Sequence, residues 1–231
     1  KIASVSSNDW TLIERSSQNN IPKIISTGGR SIKDIDKIFS FFRQKKQEFS
    51  IMHCVSIYPT DAKDSELHNI KKLLTRYNNE VTIGWSTHED PKNLFIGPLA
   101  YSLGARMFEK HIGIESKKYK LNKYSITPKL FEKYLQKMKE TKNIIGNENE
   151  KIVRNLEIKT LSSLERGVYL KKDLKKNEYL LPENIYLAFP KIPNQLSSSG
   201  FSFKHKKMKI LKDLKKDQPI KNKQVRIIEN K

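Results

Sequence analysis

The sequence predicts an α/β fold in which residues 1–145 form the C-terminal part of a (β/α)8 TIM barrel and a small β-rich domain follows. Three observations lead to this prediction. Short apolar, β-rich segments alternate with longer helical patterns, as they do in parallel β/α units. Polar residues stand at the end of nearly every predicted strand, and an internal repeat marks a different domain beyond residue 160.

Five segments are predicted strands, and the helices lie between and after them. The strands are residues 1–4, 24–26, 50–54, 81–84 and 106–109. The clearest predicted helices are residues 32–44, 65–78, 93–102 and 128–145. Ser31 is a candidate N-cap of the first helix, and Thr127 precedes a proline at the first position of the last one.

An open doubly wound sheet and a closed barrel both fit this alternation of strands and helices. The polar residues at the strand ends favour the barrel, because barrel enzymes collect their catalytic residues at the C-terminal ends of several strands. Five strands cannot close an eight-stranded barrel, so we expect about three further strands to precede Lys1.

The second domain is predicted from a change of pattern and from a repeat. Residues 146–159 are rich in Glu, Lys and Asn and have no periodicity, which indicates a linker. In the following domain, residues 160–231, the sequence of residues 170–180 recurs forty residues later at 210–220. Asp173 and Leu174 match Asp213 and Leu214, for example, and we expect two similar units packed about a pseudo-two-fold axis.

The composition limits the class of protein. The net charge of +20 is compatible with nucleic-acid or anionic-membrane binding and also with a solvated basic face. The lysines fall at turns and on the polar side of strands without interleaved aromatic residues, which favours the solvated face. The sequence has no long apolar run and no signal-peptide pattern, so we expect a cytoplasmic protein that does not bind membranes. Cys54 is the only cysteine, which excludes an intrachain disulfide and a cysteine-rich zinc site.

Several short motifs stand in a fixed order in the first domain. They are Ile25-Ser-Thr-Gly28, His53-Cys-Val-Ser-Ile-Tyr-Pro-Thr60, Gly84-Trp-Ser-Thr-His88 and Phe108-Glu-Lys-His111. Together they resemble the sialic acid (nonulosonic acid) synthase family. The stretches Leu164-Glu-Arg-Gly-Val-Tyr-Leu170 and Pro182-Glu-Asn-Ile185 resemble the C-terminal antifreeze-like (SAF, β-clip) domain of that family.

This resemblance implies a transferase that condenses phosphoenolpyruvate with an amino-sugar aldose similar to N-acetylmannosamine, in surface carbohydrate biosynthesis. It also implies a domain-swapped homodimer in which the SAF domain of one chain covers the barrel of its partner. We expect residues 1–231 alone to be inactive, since the N-terminal strands and their substrate contacts would be missing. The alternative is a catalytically divergent homologue that binds a sugar or a protein.

The resemblance also assigns site residues. His88 and His111 match the family's ligands for a divalent metal ion, Mn or Mg, and form the catalytic set together with Glu109. Four residues match the positions that bind the phosphate group of phosphoenolpyruvate, namely Lys1, Ser4, Ser26 and Ser86. Three match positions that contact the sugar, namely Ser56, Tyr58 and Phe189.

Departures from the family pattern concentrate on sugar recognition. Ser56 replaces an Asn, and Phe189 replaces an Arg that reaches the N-acetyl group of the sugar. A phenyl ring cannot supply the forked donors of a guanidinium. We therefore expect an acceptor other than N-acetylmannosamine itself. His53 is expected to support the barrel mouth rather than to bind the metal, and Cys54 to belong to the core.

Overall fold

A computed structural model describes residues 1–78, 80–146, 150–202 and 207–228. The chain divides into two compact units, Lys1–Glu148 and Asn149–Lys231, and each is described by itself. Within these described residues no helix combines the length and the apolar character needed to span a membrane.

The first unit is a parallel sheet with a helix in every crossover. The sheet has the order β1-β2-β3-β4, and all three neighbouring pairs are parallel. The strands are β1 (Lys23–Ser26), β2 (Phe49–Cys54), β3 (Thr82–Ser86) and β4 (Met107–Glu109). The helices are α1 (Trp10–Ser16), α2 (Ile32–Gln44), α3 (His68–Arg76), α4 (Ile96–Ser102) and α5 (Pro128–Ile145). This curled parallel sheet confirms the predicted α/β class and is part of a barrel.

Alternate residues of the strands face the helices, as the two-residue period of a strand requires. Ile51, Ile83 and Trp85 are buried in one apolar core together with residues of α2, α3 and α4. On the other face, a Cβ atom added to Gly84 would lie 2.7 Å from the carbonyl oxygen of Met107, so only glycine fits there. The strands are therefore packed on both faces, which fixes the direction in which their polar C-terminal residues point.

Two predicted helices match the structure at both ends, because their caps are formed. The Ser31 side chain accepts a hydrogen bond from the backbone of Asp34 at the start of α2, and Thr127 accepts one from Leu130 at the start of α5. The other two begin three residues later than predicted. Glu66 has a positive φ of 47°, which prevents α3 from including residues 65–67. The side chains of Asp90 and Asn93 accept hydrogen bonds in turns before α4.

The prediction of a strand at residues 1–4 is wrong. Only Ile2 pairs, through a single parallel bridge with Ile25, and Ser4–Ser6 form a 3₁₀ turn. The chain turns away because Arg30 donates hydrogen bonds to the carbonyl oxygen of Ser4 at 2.7 Å and to the hydroxyl of Ser7 at 3.0 Å. Helix α1, which begins after the N-cap Asp9, was not among the helices identified from the sequence.

The second unit contains two antiparallel strand pairs. One joins β5 (Gly167–Leu170) to β6 (Ile185–Ala188), and the other joins β7 (Lys207–Ile210) to β8 (Val225–Ile228). The second pair lies forty residues after the first at both strands. The contacts between the pairs are also reciprocal: Leu174 bridges Leu214, Tyr169 bridges Pro219, and Tyr179 bridges Lys209. The structure thus confirms the predicted duplication about a pseudo-two-fold axis.

Helix α6 (Asn155–Ser163) occupies part of the predicted linker 146–159, which is therefore not wholly irregular. The Glu157 side chain accepts a hydrogen bond from the backbone of Arg154 at 2.7 Å and closes the first turn of this helix. The antifreeze-like identity of the second unit stays a prediction.

Candidate active site

The polar residues at the strand ends form a row across the sheet. Cys54 of β2 is in register with Ser86 of β3, and Ser86 is in register with Glu109 of β4. These positions are the last residues of their strands. The carboxyl ends of parallel strands meet at one edge, so the side chains that the sequence predicted as a site are brought together there.

Glu109 lies at the centre of one group of side chains. Its Oε2 is 2.5 Å from Nζ of Lys1 and accepts a hydrogen bond from the Ser86 hydroxyl at 2.8 Å. Burial raises the pKa of Glu109. The hydrogen bonds from Lys1 and Ser86 and the charges of Lys1 and His111 lower it, and together they outweigh burial, so the net shift is downward. The carboxylate is therefore ionised at neutral pH and links the first residue of the chain to β3 and β4.

Ser4 and Ser56 form a second group, around Gly28. The Ser4 hydroxyl accepts a hydrogen bond from the backbone N–H of Gly28 at 2.9 Å. A Cβ atom at Gly28 would lie 2.2 Å from the Ser56 hydroxyl oxygen and 3.2 Å from the Cys54 sulfur. The absence of a side chain at residue 28 thus lets these polar groups approach each other. Cys54 itself is buried, as predicted.

Ser26 ends β1 and is only 1% exposed. Within the described part of the chain, its hydroxyl has no hydrogen-bond partner. A buried hydroxyl without a partner is costly, and a bound ligand is one way to satisfy it. Of the four predicted phosphate contacts, it is the one whose polar group has no hydrogen-bond partner among the residues that the structure describes.

His88 and His111 form the third group, with ring centres 5.1 Å apart. Nδ1 of His88 lies 3.1 Å from the carbonyl oxygen of Val55. Since a carbonyl only accepts, Nδ1 carries the proton of the neutral ring, and Nε2 keeps its lone pair. Burial and the charges of His111 and Lys1 lower the pKa of His88, and they outweigh the Val55 carbonyl and Glu109, which raise it. His88 is buried, whereas His111 is exposed.

The histidine pair fits a divalent metal ion. Metal-binding histidines usually donate their second ring N–H to a carbonyl or carboxylate, as His88 does to Val55. In the described residues, no group of three or more His, Cys, Asp and Glu side chains is close enough to hold a metal ion. The protein would therefore supply two imidazoles, and the remaining positions would be open to water or substrate.

Two tyrosine rings lie against the histidine pair. The Tyr58 ring lies 4.2 Å from that of His88, and the Tyr124 ring lies 5.1 Å from His111 and 5.6 Å from both His88 and Tyr58. Tyr58 was predicted as a substrate contact, but Tyr124 was missed because it lies in a loop without periodicity. The backbone explains its position: Ile126 bridges Ile112, and its N–H donates to the carbonyl oxygen of His111.

His53 lies apart from these groups. Its Nε2 is 2.9 Å from the carbonyl oxygen of Ser65, and its ring is 5.1 Å from that of Trp85. These contacts lie on the helix side of the sheet, which fits the predicted supporting role of His53. A cavity of about 790 Å³ also lies on that side and is lined by His53, Ser56, Glu66 and Lys72 among others. His88, His111 and Tyr58 do not line it.

Phe189 belongs to the second unit. It follows β6, and 60% of its surface is exposed. An exposed aromatic ring is available for contact with a ligand or another chain.

The fold and the strand-end residues define an α/β-barrel protein with a polar site at the C-terminal edge of its parallel sheet. The sequence matches the family described as the NeuB family over residues 1–150, and the chain belongs to this family.

Relatives with established names support the same grouping. The chain is 39% identical over 116 residues to N-acetylneuraminate-9-phosphate synthase of Drosophila melanogaster, covering 50% of this chain and 30% of that protein. It is 30% identical over 197 residues to pseudaminic acid synthase of Campylobacter jejuni, covering 82% and 54% respectively. The chain thus spans about half or less of the length of these relatives.

Solved structures resemble both units. A protein of Chromobacterium violaceum that is named for spore coat polysaccharide biosynthesis superimposes with a TM-score of 0.90 at 34% identity, covering 97% of this chain and 66% of that one. The sialic acid synthetase of Leptospira borgpetersenii, solved with citrate, gives a TM-score of 0.63 at 30% identity over 69% of this chain and 55% of that one.

Proposed function

We propose that the full-length protein condenses phosphoenolpyruvate with an amino-sugar aldose to give a nonulosonic acid and phosphate, in surface carbohydrate biosynthesis. The observation that carries this proposal is the contact of Glu109 with Lys1 and Ser86 directly beside the His88–His111 pair. The names of the relatives, N-acetylneuraminate-9-phosphate synthase and pseudaminic acid synthase, support it.

The phosphate group of phosphoenolpyruvate would bind to Lys1, Ser4, Ser26 and Ser86. An ammonium group and several hydroxyls from different segments of the chain suit a phosphate, which accepts many hydrogen bonds and carries negative charge. The Ser26 hydroxyl is free to donate, and Lys1 has further N–H groups besides the one directed at Glu109. Ser4, Ser26 and Ser86 are buried, which strengthens the interaction of their hydroxyls with an anion.

His88 and His111 would hold a divalent metal ion, Mn or Mg. When bound, this ion would act as a Lewis acid that polarises the aldehyde oxygen of the sugar. The chain prepares the site by keeping His88 neutral and by orienting its ring through the Val55 carbonyl. The Tyr58 ring lies against His88 and the Tyr124 ring against His111.

The reaction balances with one water molecule. C3 of phosphoenolpyruvate forms a bond to the aldehyde carbon, and the aldehyde oxygen takes up a proton. Water then adds at C2, and the C2–O bond to phosphate breaks, so that the bridging oxygen leaves with phosphate. Glu109 lies beside Lys1, Ser86 and the histidines, where it would orient this water and accept its proton.

The acceptor would be an acetamido sugar aldose that contacts Ser56 and Tyr58, and a partner chain would supply Phe189 as a further contact. We propose that it differs from N-acetylmannosamine because a phenyl ring stands at residue 189. Similarity to pseudaminic acid synthase over 82% of the chain supports a different acceptor. A homodimer in which the second unit covers the barrel of a partner is part of the same proposal, and sedimentation of the full-length protein tests it.

The decisive experiment uses phosphoenolpyruvate labelled with ¹⁸O at the bridging oxygen. The full-length protein is incubated with Mn²⁺ and a panel of aldoses that contains N-acetylmannosamine, its 6-phosphate and a 2,4-diacetamido-2,4,6-trideoxy hexose. We expect aldose-dependent phosphate that retains the label and a nine-carbon acid detected by mass spectrometry. Unlabelled phosphate would indicate cleavage of the P–O bond, and no turnover with any aldose would favour a binding homologue.

A further inference from the structure

Glu89 and Lys110 form a buried ion pair in the first unit. Nζ of Lys110 lies 2.7 Å from Oε1 of Glu89, and their side chains are 3% and 1% exposed, respectively. Glu89 directly follows His88, and Lys110 directly precedes His111. The pair therefore joins the two backbone segments that carry the proposed metal ligands.

We propose that the Glu89–Lys110 pair is a positioning device that sets the separation of His88 and His111. The inference rests on the proposed function, because it concerns the residues assigned to the metal ion. Neither Glu89 nor Lys110 would bind the ion itself. Their role would be to hold the two histidine-bearing segments at a distance at which both imidazoles reach one ion.

The backbone alone leaves this distance open. In the part of the chain that the structure describes, the pairing of β3 with β4 ends at Ser86 and Glu109. Both histidines lie two residues beyond that last pair. Past the end of the strand pairing, the ion pair is a direct link between the two segments.

Each partner is itself held in place. Glu89 forms a parallel bridge with Thr60, whose N–H donates to the carbonyl oxygen of His88 at 3.0 Å. The Lys110 ammonium lies 5.4 Å from the centre of the Tyr134 ring, which is buried on α5. Tyr134 packs so closely on α4 that a Cβ atom at Gly97 would lie 2.3 Å from its hydroxyl oxygen. The pair therefore ties both histidine segments to the helix layer.

Stability alone is a weak explanation for this pair. Removing two charges from water costs free energy, and buried ion pairs can often be replaced by apolar residues of similar size without loss of stability. In addition, Oε2 of Glu89 is buried without a hydrogen-bond partner among the described residues. A fully optimised structural ion pair would satisfy both carboxylate oxygens. The pair joins the residues next to His88 and His111, which favours a role in positioning these two histidines.

The test separates stability from positioning with a neutral double variant, Glu89→Met with Lys110→Met, in the full-length protein. The variant removes both charges and leaves neither partner unpaired. Lys110→Arg, which keeps the pair, is the conservative variant. Lys137→Met is the matched control, because Lys137 pairs with Glu140 on the exposed face of α5. The Kd for Mn²⁺ is measured from the electron paramagnetic resonance signal of the free ion, and folding is followed by thermal unfolding.

We expect the double variant to unfold at about the wild-type temperature but to bind Mn²⁺ roughly tenfold more weakly, in line with the effect of residues that orient ligands. Lys110→Arg should recover most of the affinity, and Lys137→Met should bind like the wild type. Wild-type affinity in a folded double variant would overturn the inference. If the double variant does not fold, the Mn²⁺ affinities of Lys110→Arg and Glu89→Asp are compared instead. The shorter side chain in Glu89→Asp loosens the ion pair, so unchanged Mn²⁺ affinity in this variant would overturn the inference.

If the wild type binds no Mn²⁺, Co²⁺ or Mg²⁺, the metal part of the proposed function is wrong. The positioning inference is then decided by nuclear magnetic resonance of ¹³C-labelled histidine rings. The signals of His88 and His111, assigned by substitution, should shift in the double variant while that of His53 stays. Unchanged signals would overturn the inference.

Discussion

Nζ of Lys1 lies 2.5 Å from Oε2 of Glu109, and the Ser86 hydroxyl donates a hydrogen bond to the same oxygen at 2.8 Å. Both hydrogen bonds to this oxygen are charge-assisted, and such hydrogen bonds are short and strong. This contact brings together three segments that are far apart in the sequence. It also places Glu109 near His111, whose charge is one of the causes that lower the pKa of Glu109.

Glu109→Gln keeps the shape of the side chain and removes its charge. We expect kcat of the full-length protein to fall by roughly 10²–10⁴-fold, as loss of a general acid–base group does. KM for phosphoenolpyruvate should change little, because Lys1 and the serines remain. Steady-state kinetics measure both constants, and Glu140→Gln on the exposed surface of α5 is the control. A variant that keeps wild-type kcat would show that Glu109 has no role in proton transfer.

Tyr124 is expected to act through its ring. Its ring meets those of His88 and His111 nearly at right angles, at 87° and 82°. Tyr124→Ala should raise KM for the aldose by about five- to tenfold, which corresponds to the loss of one aromatic contact of about 1–1.4 kcal/mol. Tyr124→Phe keeps the ring and should stay near the wild type. Equal effects of the two substitutions on KM would assign the role to the hydroxyl instead.

The parts of the fold that local chemistry determines were predictable from the sequence. Ser31 and Thr127 cap α2 and α5, and both helices have the predicted bounds. Local patterns could not show that Arg30 turns the chain at Ser4, because a contact across 26 residues decides it. The left-handed backbone conformation of Glu66 could not be predicted from the sequence either, since glutamate has no preference for that conformation.

In the candidate site, too, some features follow from local sequence and others depend on tertiary contacts. The motifs identified Lys1, Ser86, His88, Glu109 and His111, which the structure brings together. They also contained Lys110, but its partner Glu89 could not be inferred, because a buried ion pair depends on packing against Tyr134 and not on spacing. Tyr124 lies in an aperiodic loop whose position is set by the buried Ile126. Its role required the tertiary structure.

His53 gives a prediction about pH. Burial lowers the pKa of His53, against hydrogen bonds to backbone carbonyls that raise it. The unfolded chain takes up a proton near pH 6.5, whereas the folded chain resists it until lower pH, so the unfolded state binds more protons in this window. The free energy of unfolding should therefore fall as the pH drops below about 6.5, by at most about 1.4 kcal/mol per pH unit for this group.

The measurement compares urea unfolding of the wild type and His53→Gln between pH 7.5 and 5.5. Glutamine can still donate to the Ser65 carbonyl but does not titrate. The variant should lose less stability over this range than the wild type. His68→Gln is the control for the loss of a histidine as such, because His68 is exposed at the start of α3. If the free energy of unfolding has the same pH dependence in the wild type and in His53→Gln, the pKa of His53 is not lowered by burial.

The pseudo-two-fold axis of the second unit predicts matched effects at its two central leucines. Leu174 and Leu214 are 3% and 4% exposed, and each donates its backbone N–H to the carbonyl oxygen of the other at 2.9 Å. Leu174→Ala and Leu214→Ala should each cost about 2–5 kcal/mol of stability, with similar values at the two sites. Hydrogen exchange of the amides in the second unit measures this cost without requiring the first unit to unfold.

The double variant tests whether the two leucines form one core. Because they are in direct contact, the two substitutions should not be additive, and the coupling should be about 0.5–3 kcal/mol. Leu161→Ala on the exposed face of α6 serves as the control and should cost little. Additive effects, or a large cost at only one leucine, would show that the sequence repeat is not matched by an energetic symmetry. Equal and coupled costs would instead mean that the two copies of the repeat stabilise each other, so that neither strand pair has a complete core by itself.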